Sequence, residues 1–477
     1  MLRRVAFADL PRAPRSVRVL HHTSGGVVIA AVAYDPTPTL TPTSPSPPPP
    51  PGPLFFSVVE MPAPNERGLP LRVVHVRVPQ PSTAVNSLTL LRSADGEDVY
   101  LVVQAVEAVP TPPQTQFGVS PKSVTTYVYR RQVVKVEAAG ADADRDGDAE
   151  GEWSQAENGN VEGADLVSSP VSAGAAGSGQ GNGTAHTAGV RIRYQRLPRT
   201  VADADGPLWT AATAFSAAET PIFGASAQAA APAAGTGSVA LVTASAAVAA
   251  SSSANQLQLW CLTGTRLALA ATYQIPALSG FPISQILTVP GTQDAVLLRC
   301  HNSVVEVDVA ALRSGCAHYP HIVTTNALLT RAWRLSPHDR LTSCDTKDAL
   351  LYAGTEAGDV VAWDLRTPTS SAANAQPLTS RSIGVPITGL YAPYATGFIT
   401  CDASGGVRDW VERGDMAEED MHEGTNDGAA ASSQFPYCSR VPVESPNGLE
   451  GCVAMEGHDN FAAVVTEGGR LSLYFCS

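Results

Sequence analysis

Residues Ala349–Arg366 read ALLYAGTEAGDVVAWDLR. An apolar run (Leu350, Leu351, Tyr352, Ala353) meets the polar segment Thr355–Glu356–Ala357–Gly358. A second run then follows, Val360, Val361, Ala362 and Trp363, and ends at Asp364. Two short β-prone runs joined by a glycine-bearing turn are the signal of a hairpin. A lone hairpin is at best marginal in water, so its recurrence decides the fold.

It does recur. Phe398–Cys401 passes through Asp402–Ala403–Ser404–Gly405–Gly406 into Val407–Trp410, and Phe461–Val465 passes through Thr466–Glu467–Gly468–Gly469 into Leu471–Tyr474. Weaker copies lie upstream. Val296–Leu298 turns through His301–Asn302–Ser303 into Val304–Val307, and Ser238–Thr243 is followed by Gln256–Trp260. Val99–Val103 pairs with Val124–Tyr129, and Val27–Tyr34 pairs with Leu54–Val59 across a proline tract. The second strands end at Trp260, Val307, Trp363, Trp410 and Tyr474, roughly 50 residues apart, the spacing of four-stranded propeller blades with loop insertions.

Further strands precede the hairpins at Val85–Leu91, Ile283–Val289, Ile387–Tyr391 and Gly451–Ala454. Others follow them at Leu71–Val78, Gln132–Glu137 and Leu267–Tyr273. Four-stranded sheets of this kind bury both faces only by stacking around a ring. The expected fold is therefore all-β: one seven-bladed β-propeller over residues 1–477. The last blade lacks a fourth strand, and Arg4–Ala8 is placed there, closing the ring and removing two open edges.

Few charged residues (16%) with 40 glycines and 38 prolines suit many short strands better than long helices. The net charge of −13 is concentrated in two stretches, Ala138–Asp165 and Glu412–Asp427. Without them the remainder is close to neutral, which disfavours nucleic-acid binding. Eight cysteines without a CxxC pair suit a reducing compartment, and no apolar run approaches the roughly 20 residues of a membrane span. Met1–Arg18 is Arg-rich like a transit peptide, but Pro11 and Pro14 interrupt the helix such a signal needs. Nucleus or cytoplasm is expected.

Three inserts are expected to be disordered: 36–53 (proline-rich), 138–189 (acidic, then Gly/Ala/Ser-rich) and 412–436 (acidic). Asp142, Asp144, Asp146 and Gly147 imitate the start of a calcium loop, but its twelfth position is Trp153 instead of a bidentate acid. No phosphate-cradling loop, nucleophile elbow or metal-binding histidine pair is present; His21 and His22 are adjacent and would point to opposite sides of a strand. No catalytic, cofactor or metal residue is assigned, and no enzyme activity, cofactor or small-molecule substrate is expected.

Thr355-x-x-Gly358-x-Val360-x-x-Trp363–Asp364 resembles the end of a WD repeat, with Trp260, Trp410 and Tyr474 at the aromatic position and Gly405 and Gly468 in the corresponding turns. The resemblance implies aromatics packed between blades and a protein-interaction role. Glu356 or Ala357 replaces the turn Asp in blade five, so the buried hydrogen-bond network of strong repeats is expected to be absent. Asp294–Ser477 is similar in layout to the small WD-repeat nucleoporins of the Y-shaped outer ring of the nuclear pore. A repeat ends in Trp363–Asp364–Leu365–Arg366, a Cys401…Gly405–Gly406…Trp410 blade follows, and a polar insert leads to a short final blade. That likeness implies a structural subunit whose partners are other proteins of a complex. Trp363–Asp364–Leu365–Arg366 also fits the WDxR pattern of cullin-4 ligase receptors, which implies adaptor docking through Asp364 and Arg366.

Overall fold

The computed structural model describes residues 2–24, 26–34, 54–62, 71–79, 82–93, 96–107, 123–135, 190–197, 208–216, 239–246, 255–263, 266–278, 282–289, 295–308, 322–366, 379–394, 397–412, 437–439 and 450–476. Among them every regular element is a strand except a 3-10 turn at Pro276–Leu278. After β1 (Leu2–Asp9), blade one holds β2 (Pro14–His22), β3 (Val27–Tyr34), β4 (Phe55–Pro62) and β5 (Arg72–Arg77). Blade two holds β6 (Ser82–Arg92), β7 (Val99–Glu107), β8 (Ser123–Lys135) and β9 (Val190–Arg196). Blade three holds β10 (Trp209–Ser216), β11 (Val239–Ala246), β12 (Asn255–Thr263) and β13 (Arg266–Ile275).

Blade four holds β14 (Gln285–Thr288), β15 (Ala295–Cys300), β16 (Ser303–Asp308) and β18 (Leu329–Arg334). Between the last two, β17 (Ile322–Thr324) crosses over and pairs parallel with β13, covering the outer edge of blade three. Blade five holds β19 (Leu341–Lys347), β20 (Leu350–Thr355), β21 (Asp359–Asp364) and β22 (Thr379–Ser382). Blade six holds β23 (Ile387–Tyr394), β24 (Gly397–Asp402), β25 (Val407–Glu412) and β26 (Tyr437–Ser439). Blade seven holds β27 (Cys452–His458), β28 (Phe461–Thr466), β29 (Arg470–Cys476) and β1.

The first strand of each blade lies innermost. β2 packs on β6, β6 on β10, β10 on β14, β14 on β19, β19 on β23, β23 on β27, and β27 returns to β2. The circuit is closed. The molecule is a seven-bladed β-propeller, sealed by β1 against β29 with Leu2 opposite Cys476 and Asp9 opposite Arg470.

The core is divided in the same way. Each of seven apolar clusters is built from the facing sides of two neighbouring blades. In β28, Phe461, Ala463 and Val465 face blade one, while Ala462 and Val464 face blade six. β3, β24 and β28 are buried at every position, which is why they read as unbroken apolar runs instead of alternating ones. Each repeat aromatic reaches the blade before its own. Trp260 joins Tyr100 and Val102, Trp363 joins Leu297 and Trp333, Trp410 joins Tyr352, and Tyr474 joins Ile399.

The last three hairpins share one turn chemistry. Gly358, Gly405 and Gly469 have φ of +90°, +90° and +81°, a region glycine enters at least cost. Their amides donate to the carbonyls of Thr355, Asp402 and Thr466 at 3.0–3.1 Å. The side chain opening each turn accepts the amide four residues on: Asp359 N to Thr355 Oγ1 (2.8 Å), Gly406 N to Asp402 Oδ1 (2.9 Å) and Arg470 N to Thr466 Oγ1 (3.3 Å).

Two expectations change. Gln132–Lys135 is not an outer strand but the end of β8, and the fourth strand of blade two is β9, beyond the acidic insert. The buried hydrogen-bond network is partly present, because Trp260 Nε1 donates to Thr243 Oγ1 (3.1 Å) and Trp410 Nε1 to Thr400 Oγ1 (2.9 Å). The calcium-like motif and the inserts, apart from Glu412 at the end of β25, lie outside the described residues.

Candidate functional site

An inner strand has a sheet neighbour on one side only, so its other row of backbone groups needs partners. The sequence supplies them as polar side chains from the preceding blade. Arg18 on β2 donates to Leu88 O (3.1 Å), and Asn86 on β6 donates to Trp209 O (2.8 Å). Gln285 on β14 imitates a backbone unit toward β19, giving its Nε2 to Cys344 O (2.9 Å) and accepting Cys344 N (3.1 Å). Ser343 and Asp345 on β19 accept the amides of Leu390 (2.9 Å) and Ala392 (2.7 Å) on β23. Glu456 on β27 accepts Val19 N (3.2 Å) and pairs with Arg18, so the seam between blades seven and one is both hydrogen-bonded and ionic.

Two carboxylates along this ring are shifted in opposite directions. Burial pushes Asp345 up to about 7 against the pull of two backbone amides, those of Ala392 and Thr346. Asp459, in the β27–β28 turn, is held down to about 2 by His458 and then by His21 of blade one. Burial also raises the Cys300 thiol to about 11 and the Cys344 thiol to about 12, so both pack as inert small hydrophobes.

Where the chain enters the inner strands of blades four to seven, a cavity of about 400 Å³ opens. Arg299, His301, Arg340 and Glu356 supply its charged and titratable groups, while Pro282, Leu341, Ile387 and Val453 are among its apolar walls. Arg299 is the penultimate residue of β15, and its Nη1 donates to Leu341 O (2.7 Å). Arg340 and Glu356 approach to 3.7 Å at the rim, each side chain 60% exposed. Sequence reading missed this place, since its residues come from four blades and no local spacing joins them.

The WDxR residues lie apart from the cavity, at the end of β21. Asp364 accepts Arg366 N (2.8 Å), Nε (3.0 Å) and Nη2 (3.0 Å), a bidentate pair with the Arg366 side chain 76% exposed. Arg366 holds the Asp364 carboxyl below its ordinary range.

No protein-family model and no curated protein matches the chain. Among solved structures it is similar to Raptor of Chaetomium thermophilum, with 10% identity and a TM-score of 0.47. That match covers 99% of this chain and 29% of Raptor, so the chain spans under a third of the length of the relative. The propeller assignment rests on the strand order and the closed circuit of inner strands.

Proposed function

We propose that this protein is a non-enzymatic interaction scaffold, a structural subunit of a multiprotein complex, with the nuclear pore outer ring as the specific assembly. One observation carries the reading: six polar side chains of the inner strands are spent on joining blades. Arg18, Asn86, Gln285, Ser343, Asp345 and Glu456 all hold the neighbouring blade. Chemistry along the axis is thereby given to rigidity, and recognition falls to the loops at the two faces. The outer-ring assignment is supported by the order of features in Asp294–Ser477, and it implies the nuclear envelope or the cytoplasm as the place of action. Partners are proteins, without membrane insertion.

A second reading, a receptor of a cullin-4 type ligase, is favoured by the exposed, preorganised Asp364–Arg366 pair. A tagged pull-down separates the two. Outer-ring nucleoporins are expected to co-purify with both wild type and Arg366→Ala. Cullin-4 adaptor recovered with wild type and lost with Arg366→Ala would favour the second reading. A protein that migrates as a monomer and retains no stoichiometric partner would sink both.

A further inference from the structure

Arg299 is out of balance with its surroundings. A guanidinium stays charged in proteins, and a buried charge is costly unless it is paired. Among the described residues Arg299 has no carboxylate within ion-pair distance, and its buried Nε has no acceptor. Burial lowers its pKa, and Arg340 lowers it further. Both cations line the same cavity, and among the described residues Glu356 is the one carboxylate in that lining, at the solvent rim beside Arg340.

We propose that this cavity binds an oxyanion displayed on a peptide of a protein partner, an acidic or phosphorylated side chain received by Arg299 and flanked by Arg340. The guanidinium fork matches a carboxylate or phosphate in bidentate fashion. A space of about 400 Å³ lies within the roughly 300–1,000 Å³ typical of ligand pockets. Gln285 ties β14 to β19 beneath the cavity, so the floor that carries Leu341 is preorganised.

The inference rests on the scaffold reading and names a face and a partner chemistry for it. The test uses the purified full chain and fluorescein-labelled short Gly/Asp peptides, with phosphoserine or Asn replacing Asp in parallel peptides, read by fluorescence polarisation. An anionic peptide is expected to bind about tenfold or more tightly than its Asn counterpart. Arg299→Gln is expected to weaken that binding by a similar factor, and Arg299→Lys to fall between, since it keeps the charge and loses the fork. Arg340→Gln, at an exposed position, is expected to weaken binding severalfold and reads the same site if Arg299→Gln folds poorly. The Asp and phosphoserine arms show which oxyanion is preferred. Equal binding by wild type and the Gln variants, or no binding of either anionic peptide up to about 1 mM, would overturn the inference. Partners still recovered in the pull-down with Arg299→Gln would leave the scaffold reading standing while this one falls.

Discussion

Blades five to seven and blades one to three reach the same four-stranded outline by different means. The later blades repeat one device: a side-chain oxygen opens the turn, and a left-handed glycine closes it at Gly358, Gly405 and Gly469. In the earlier blades the middle strands are joined across residues 35–54, 108–122 and 247–254, which apart from Leu54 lie outside the described residues. Among their described residues they carry contacts that occur once. Glu60 of blade one, 1% exposed, takes both forks of Arg131 at 2.9 Å and the Tyr194 hydroxyl at 2.6 Å, both from blade two. Asn86 and Gln104 of blade two bind the backbone of Trp209 in blade three, each at 2.8 Å. Repeated local chemistry is one route to a blade, and unique long-range chemistry is another.

The largest expected effect falls on the second route. Arg131→Ala leaves the Glu60 carboxylate buried with only a hydroxyl partner, and thermal or urea unfolding should register a loss of about 3–5 kcal/mol. Replacing Glu60 and Arg131 together with Leu is expected to recover most of it. If the double variant is no better than the single, the charge argument fails.

On the first route, the Cβ of Gly358→Ala would lie 2.6–2.7 Å from backbone atoms of Val385, at φ +90°. The expected loss is roughly 2–3 kcal/mol or more. Gly384→Ala, at φ +70° with open space around its Cβ, is the control and should lose only about 1 kcal/mol. Equal losses would mean that backbone strain alone, and not the seam with Val385, sets the cost.

A further contrast is in pH dependence, where the two shifted aspartates oppose each other. Asp345 is raised to about 7, so the folded state holds its proton longer than the unfolded chain. Its contribution falls as pH rises from about 4 to about 7. Asp459 is lowered to about 2, so its contribution is present above about 4 and is lost as pH falls toward 2. Asp345→Asn should flatten the neutral limb of the stability profile and Asp459→Asn the acid limb. The reverse pattern would show that the two environments have been misread.

This contrast also explains what could be read in advance. Middle strands such as β24 and β28 are apolar on both faces, and in blades five to seven a Gly-bearing turn joins the pair, so seven hairpins and the ring were legible. So was the use of Arg4–Ala8 to close the last blade. Inner strands were harder. β19 reads Leu-Thr-Ser-Cys-Asp-Thr-Lys because Ser343 and Asp345 serve the next blade, and that polar alternation looks like loop. β9 lies beyond the 138–189 insert, and the long continuous run of β8 reads as two strands in succession. The Arg299 cavity was illegible for a related reason: its residues meet only after blades four to seven have stacked.

Ring closure by the first strand is tested most directly by amide hydrogen exchange on the intact protein, followed in peptides spanning residues 2–9 and 470–476. Slow exchange in both segments, comparable with that of 461–466, is expected from the β1–β29 ladder. Exchange of 2–9 at the rate of a free peptide, with the unpaired amides of 470–476 exchanging quickly as an open edge, would contradict it.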